Sequence, residues 1–336
     1  MSRVVDNFTA VLDLREPQYL PTVLSLVNTP EGDPLEFVAN LLERLKTAIP
    51  VCDAFLAVEF SQPFSTIAEL SALGCEVVLS RGFPRIRARP ATLPDTRDVR
   101  ATFTGNESVV RYLAMLRWQC EVQGFAIGAA CGPLSLAAYL MGWSRLLRDI
   151  QKSLENLRRI LDQTTVITAE WVRLQVEEGA AVIRVLEPYI SSEASPPSVL
   201  LQLLASIRQL KAEIPLARYW IELTGPRIAE TARNARAAGA SVVSMRSDSY
   251  LETFAVKRAL HGAAVFVATY ALHQLHTRDE VEKLAALLRR VIHACGYGGA
   301  FFIDFEITSD TPIQTIVEIL RLVSSEGKYP IEFRVI

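Results

Sequence analysis

Tyr219-Trp220-Ile221-Glu222-Leu223-Thr224-Gly225-Pro226 is the stretch whose reading decides the fold. It reads as a short buried strand closed by a Gly-Pro turn, with an amphipathic helix from Arg227 to about Ala238 behind it. Alternate strand residues share a face, so Glu222 and Thr224 point the same way beside the turn. A carboxylate left unpaired in an apolar strand costs several kcal/mol. Glu222 must therefore meet a neutralising partner or open onto a solvated pocket.

The same strand–helix unit recurs outward from this point. Downstream, SVVSMRS (241–247) precedes a helix over 249–260, AVFVATY (264–270) a helix over 278–295, and AFFIDFE (300–306) a helix over 312–325. Upstream, CDAFLAVEF (52–60), CEVVLS (75–80), GFAIGAA (124–130) and AAVIRVLEP (180–188) read as strands. Helical spacing is expected over 17–28, 34–48, 66–73, 106–122 and 198–213, with one long helix or two in succession over 143–178. Gly179 closes that last stretch as a C-terminal glycine does. Apolar strands alternating with amphipathic helices define a parallel sheet with helices outside. About eight such units, with no Gly-rich dinucleotide fingerprint after the first strand, favour a single-domain α/β fold over residues 1–336, a (β/α)8 TIM barrel with N-terminal helices. The alternation Arg85-Ile86-Arg87-Ala88-Arg89 is a strand with one basic face, read as a solvated hairpin in preference to an anion clamp.

Composition narrows the function. In 336 residues, half of them hydrophobic, the net charge is −2, which gives no pull toward nucleic acid or an anionic membrane. The five cysteines (52, 75, 120, 131 and 295) form no Cys-x-x-Cys pair, which fits a reducing cytoplasm. The uncharged run Gly124–Ser144 is long enough to span a bilayer, but Gly124, Gly128, Gly132 and Pro133 break it into a strand, a turn and a helix. Charges fall too early in the first residues for a signal peptide. The chain reads as a cytoplasmic protein.

In barrels of this kind chemistry sits at the C-terminal strand ends. The polar residues placed there are Glu59, Glu187, Glu222, Thr224, Arg246, Asp248, Tyr270, His273, Asp304 and Glu306. Glu222, Glu187, Asp304 and Glu306 are the catalytic candidates; Arg246, Asp248, Tyr270, His273 and Thr224 are the substrate-binding ones. Crowded carboxylates suit a proton-handling site, a cationic substrate or a hard cation. The four histidines (261, 273, 276 and 293) have no metal-ligand spacing, and no nucleophile elbow, phosphate loop or HExxH motif occurs.

Several segments, in order, resemble the uroporphyrinogen decarboxylase superfamily: REPQYLPTV (15–23), ELSALGCEVV (69–78), GFAIGAACGPLSLAAYLMG (124–142), EEGAAVIRVLEP (177–188), WIELTG (220–225), AGASVVSM (238–245), HGAAVF (261–266) and GGAFFIDFEITSDTPIQTIVEIL (298–320). The resemblance implies a single-domain barrel and either the haem-pathway decarboxylase or a corrinoid-dependent methyltransferase of the methylcobamide:coenzyme M type. The decarboxylases carry an Arg-rich stretch where PTVLSLVNTPEG (21–32) stands here without arginine; their aspartate falls near Ser65 and their late histidine near Phe305. Uroporphyrinogen is thus not the expected substrate. The methyltransferases hold zinc through His-x-Cys-Gly and a late cysteine, positions at which this chain has Glu222, Thr224 and Phe305. A thiolate-held zinc is therefore not expected, since Phe ligates nothing and Thr poorly.

The expected function is methyl transfer between a small substrate and a corrinoid (cobalamin) carried by a partner protein, by acid–base chemistry at Glu222 rather than thiolate–zinc chemistry. Two alternatives stand beside it: a decarboxylase or lyase on another carboxylated substrate, gripped by Arg246 and the Arg81–Arg89 run, and a non-catalytic barrel subunit. Expected partners are the small methyl donor or acceptor and the corrinoid protein, with neither nucleic acid nor membrane; a homo-oligomer is left open.

Overall fold

The computed structural model describes residues 3–187, 197–223, 228–246, 248–260 and 262–332. Helix α1 (Arg3–Leu12) precedes strand β1 (Thr22–Leu26), helix α2 (Pro34–Ala48), strand β2 (Leu56–Glu59) and helix α3 (Ser61–Ala72). A hairpin of β3 (Glu76–Ser80) and β4 (Phe83–Ala88) follows. Next come α4 (Val99–Thr104), α5 (Glu107–Gln123), β5 (Ala126–Cys131), α6 (Pro133–Met141), α7 (Trp143–Lys152) and α8 (Leu154–Glu177). The remainder alternates strictly: β6 (Ala180–Leu186), α9 (Pro197–Glu213), β7 (Arg218–Leu223), α10 (Ile228–Ala237), β8 (Val242–Arg246), α11 (Tyr250–Ala259), β9 (Val265–Ala271), α12 (Arg278–Cys295), β10 (Phe301–Ile307) and α13 (Ile313–Glu326). Eight parallel strands, in the order β2-β1-β10-β9-β8-β7-β6-β5, form the sheet of a (β/α)8 TIM barrel.

The chain comprises two compact units, residues 1–60 with 241–336, and residues 61–240. In the first, β1 lies between β2 and β10, and β9 bridges β10 and β8. In the second, β6 lies between β5 and β7.

Local sequence sets the element ends. The side chain of Asn106 caps α5, and Gly124 ends it in the left-handed region at φ 84°. Ser153 accepts from the amide of Asn156 and so starts α8 afresh, which divides the long helical stretch into two. Thr277 and Glu280 form a reciprocal capping box on α12. Among the described residues no helix is long and apolar enough to cross a membrane.

Two expectations are corrected. Residues 17–28 are not helical: Thr22–Leu26 is β1, buried at every position, a pattern that suits a strand covered on both faces and leaves no polar stripe for a helix. CEVVLS is not a barrel strand either. It is β3, paired antiparallel with β4 in a mostly exposed hairpin, where Arg87 meets Glu76 at 3.2 Å and Arg89 donates to the Tyr139 carbonyl. The count of eight was right, with β1 in the place given to β3. The last six residues, IEFRVI (331–336), whose sequence also reads as a short strand, fall largely outside the described residues.

Candidate functional site

In the 61–240 unit the site begins with Arg184. It lies in the middle of β6, opposite Trp220 of β7, and is wholly buried. Its Nη2 lies 3.1 Å from Glu222 Oε2, and its Cζ sits 4.6 Å from the centre of the Trp220 ring. A guanidinium is suited to this seat because it is weakly hydrated and can stack on an indole while its edge reaches a carboxylate. Tyr219, on the opposite face, donates its hydroxyl to the Leu210 carbonyl of α9, which marks that face as the helix side. Arg184, Trp220 and Glu222 therefore share the face turned away from the helices. Glu222 is the part-exposed member, its side chain 16% accessible. The partner demanded by its apolar strand is thus Arg184. Thr224 lies outside the described residues.

Glu187 has a different task. Buried just beyond β6, its Oε2 accepts the amides of Leu134 and Ser135 and its Oε1 the Ser135 hydroxyl at 2.9 Å. It thereby satisfies orphan donors at the start of α6 and places negative charge at the positive end of that helix. A Cβ at Gly132 would stand 2.5 Å from Glu187 Oε2, which is why CGP needs its glycine.

Beside it lies a pair that sequence reasoning passed over. Glu69 of α3 is fully buried; its Oε2 accepts the Cys131 amide at 2.9 Å, and its Oε1 has no hydrogen-bond partner among the described residues. Burial pushes its carboxyl up to about 8, against a smaller opposing pull from the Cys131 amide and thiol. The Cys131 thiol is driven well above its ordinary value by burial first and by the charge of Glu69 second. It is a poor nucleophile at neutral pH.

In the 1–60 and 241–336 unit the acids gather on β10 and its neighbours. Asp304 is fully buried, accepting the Ser25 hydroxyl at 2.6 Å and the Thr269 hydroxyl at 3.4 Å. Ser25 of β1 is level with both Glu59 and Glu306. Glu306 pairs with Arg246, the last residue of β8, whose side chain is half-exposed. His273 brings Nδ1 to 3.3 Å from the Glu306 carbonyl oxygen, and Asp248 is exposed. Glu306, Arg246 and His273 are thus brought together.

Tyr270 is placed differently from its expected position at the mouth. Its ring packs at 6.2 Å against Phe305, and Cys295 of α12 is among the groups that act on its hydroxyl, so both rings face the helices. Burial, with smaller contributions from Cys295 and Asp248, raises the phenol above its ordinary range, and the hydroxyl has no partner among the described residues. Phe305 is displaced in the same way from the ligand position that the resemblance gave it. On β10, Asp304 and Glu306 lie on the face opposite Phe305.

Glu222 is engaged by Arg184, and Phe305 points into the helix layer. Among the described residues no group of three or more His, Cys, Asp or Glu is arranged to hold a metal. Sequence reading missed Arg184, Ser25 and Glu69. For Arg184 the signal was present: a charge inside the apolar run AAVIRVLEP raises the same question as Glu222 in its own strand.

These features define a (β/α)8 barrel whose strand ends carry paired carboxylates and arginines. The uroporphyrinogen decarboxylase (URO-D) family model matches residues 49–215 of the chain. No curated protein sequence matches it. Among solved structures, a methyltransferase from Methanosarcina mazei is similar at 16% identity with a TM-score of 0.73, covering 97% of this chain and 99% of that one. A 2,3-dimethylmalate lyase shares 11% identity at a TM-score of 0.43, covering 96% and 85%. A psychrophilic family 10 xylanase shares 9% at 0.47, covering 86% of each chain.

Proposed function

We propose that this chain is a methyltransferase that moves a methyl group between a small oxygen- or nitrogen-bearing substrate and a corrinoid held by a separate protein. The observation that carries the reading is the Arg184–Glu222 pair, a part-exposed carboxylate fixed by a buried guanidinium where the related methyltransferases have a zinc ligand. The URO-D family match over residues 49–215 and the fold shared with the Methanosarcina mazei methyltransferase support it. When docked, the corrinoid supplies the methyl acceptor or donor. Glu222 handles the proton of the heteroatom that loses or gains the methyl, and Arg184 holds the carboxylate in place. Arg246 offers a half-exposed guanidinium to an anionic group of the substrate, oriented by Glu306. Asp304, in the same unit as Arg246, is braced by Ser25 and Thr269.

The test is incubation with cob(I)alamin and a panel of aryl methyl ethers and methylamines, followed by absorbance. Methylcobalamin should form with at least one donor, and Glu222→Gln should slow it by about 10²–10⁴-fold with little change in KM. An unproductive panel overturns the reading. The exposed guanidinium of Arg246 also favours a second one, a lyase acting on a carboxylated substrate; CO2 release without any corrinoid would select it.

A further inference from the structure

A cavity of about 550 Å³ lies in the 1–60 and 241–336 unit, beside the residues that lead into β9 and β10, away from the strand ends described above. Its walls include Leu14, Phe254, Ala264, Ala294 and Tyr297, and its lining holds two cations, Lys257 and Arg258, and no acidic side chain among the described residues. Lys257 Nζ donates to the carbonyls of Gly299 and Ala300, the second at 2.8 Å. An ammonium has three donors. Among the described residues neither a third acceptor nor a carboxylate meets Lys257, and no carboxylate meets Arg258, whose guanidinium rests 5.9 Å from the Phe254 ring centre. Burial pulls the Lys257 amine down to about 8, with only Cys295 acting in the opposite direction, as expected for a cation without a counter-ion.

The backbone around this cavity is strained. Leu14 (φ 60°) and Ala300 (φ 50°), both in the lining, are non-glycine residues in the left-handed region, and Arg81 is the only other among the described residues. Gly299 is locked between them, since a Cβ there would stand 2.8 Å from the Arg15 carbonyl oxygen. Such strain persists where surrounding structure over-determines it, and it clusters at ligand sites.

We infer that this cavity binds a small apolar monocarboxylate, its hydrocarbon body against Phe254 and Tyr297 and its carboxylate on Lys257 and Arg258. The volume is that of a small-molecule site, and mostly apolar walls with a few placed polar groups are the usual lining of one. A neutral ligand would leave the half-buried Lys257 ammonium without a counter-charge; a polyanion would set charge against apolar walls. The inference stands independently of methyl transfer.

Calorimetric titration at pH 7 with octanoate, octanol and octylamine tests it. Octanoate should bind at one site with a Kd below ~1 mM, and Lys257→Gln and Arg258→Gln should each weaken it about tenfold or more. Octanol and octylamine should show no saturable binding. Absence of saturable octanoate binding, affinity unchanged in Arg258→Gln, or octanol binding as tightly as octanoate would each overturn the inference. If loss of the Lys257 bonds prevents folding, Arg258→Gln alone decides, because Arg258 makes none of those bonds.

Discussion

At pH 8.5 the Glu69→Gln variant should withstand more denaturant than the native chain, whereas at pH 5 the two should nearly coincide. The native carboxyl is pushed up to about 8, far above its ordinary value of 4.5, because it is wholly buried beside Cys131 and no cation among the described residues acts on it. Between those two values the folded chain holds a proton that the unfolded chain has released. Stability from this group is therefore complete below about pH 4.5 and is lost as pH rises through 8. The difference between the two pKa values corresponds to a loss on the order of 5 kcal/mol. Glutamine keeps the shape and the acceptor for the Cys131 amide but cannot ionise, so its stability should be flat over that range. Chemical denaturation of both proteins at half-unit intervals from pH 5 to 9 makes the measurement. Parallel curves would mean that Glu69 is not the buried acid described.

The second large effect is expected at Arg184. Arg184→Met removes the cation facing Glu222 and the stacking on Trp220, leaving a carboxylate at the rim of an apolar interior. Breaking a buried pair from one side costs on the order of 3–5 kcal/mol. The double variant Arg184→Met/Glu222→Gln should consequently recover part of that loss. Denaturant midpoints of the four proteins in the cycle give the coupling directly. Additive single effects would show that the two groups do not act as a pair.

How far the sequence foretold this site depended on whether the signal was local. Glycine and proline punctuation around Gly124 and Pro133, the helix end at Gly179, and the regular alternation after Arg218 were legible because each is encoded within a few residues. The segment 17–28 was not, because a five-residue buried strand and part of a buried helix present the same apolar run. β3 reads as a barrel strand because edge pairing and barrel pairing use the same residue types; its exposure appears only once its neighbours are placed. The acids of β7 and β10 were found as charges in apolar strands. Which of them would be braced, and by what, depended on partners as distant in sequence as Ser25 and Asp304. Glu69 could not be found that way, since an acidic residue in a short amphipathic helix looks like a solvated one.

The alternation along β10 has a consequence for how such a protein diversifies. Asp304 and Glu306 face one layer, while Phe305 fills the other against Tyr270. Point substitutions at the even-numbered positions can rewrite the reactive surface while the outer shell stays as it is. Inserting one residue would turn aromatic bulk inward and acids into the helix packing in a single step. New specificities in this lineage should therefore arise by exchange of residues, with strand lengths held constant.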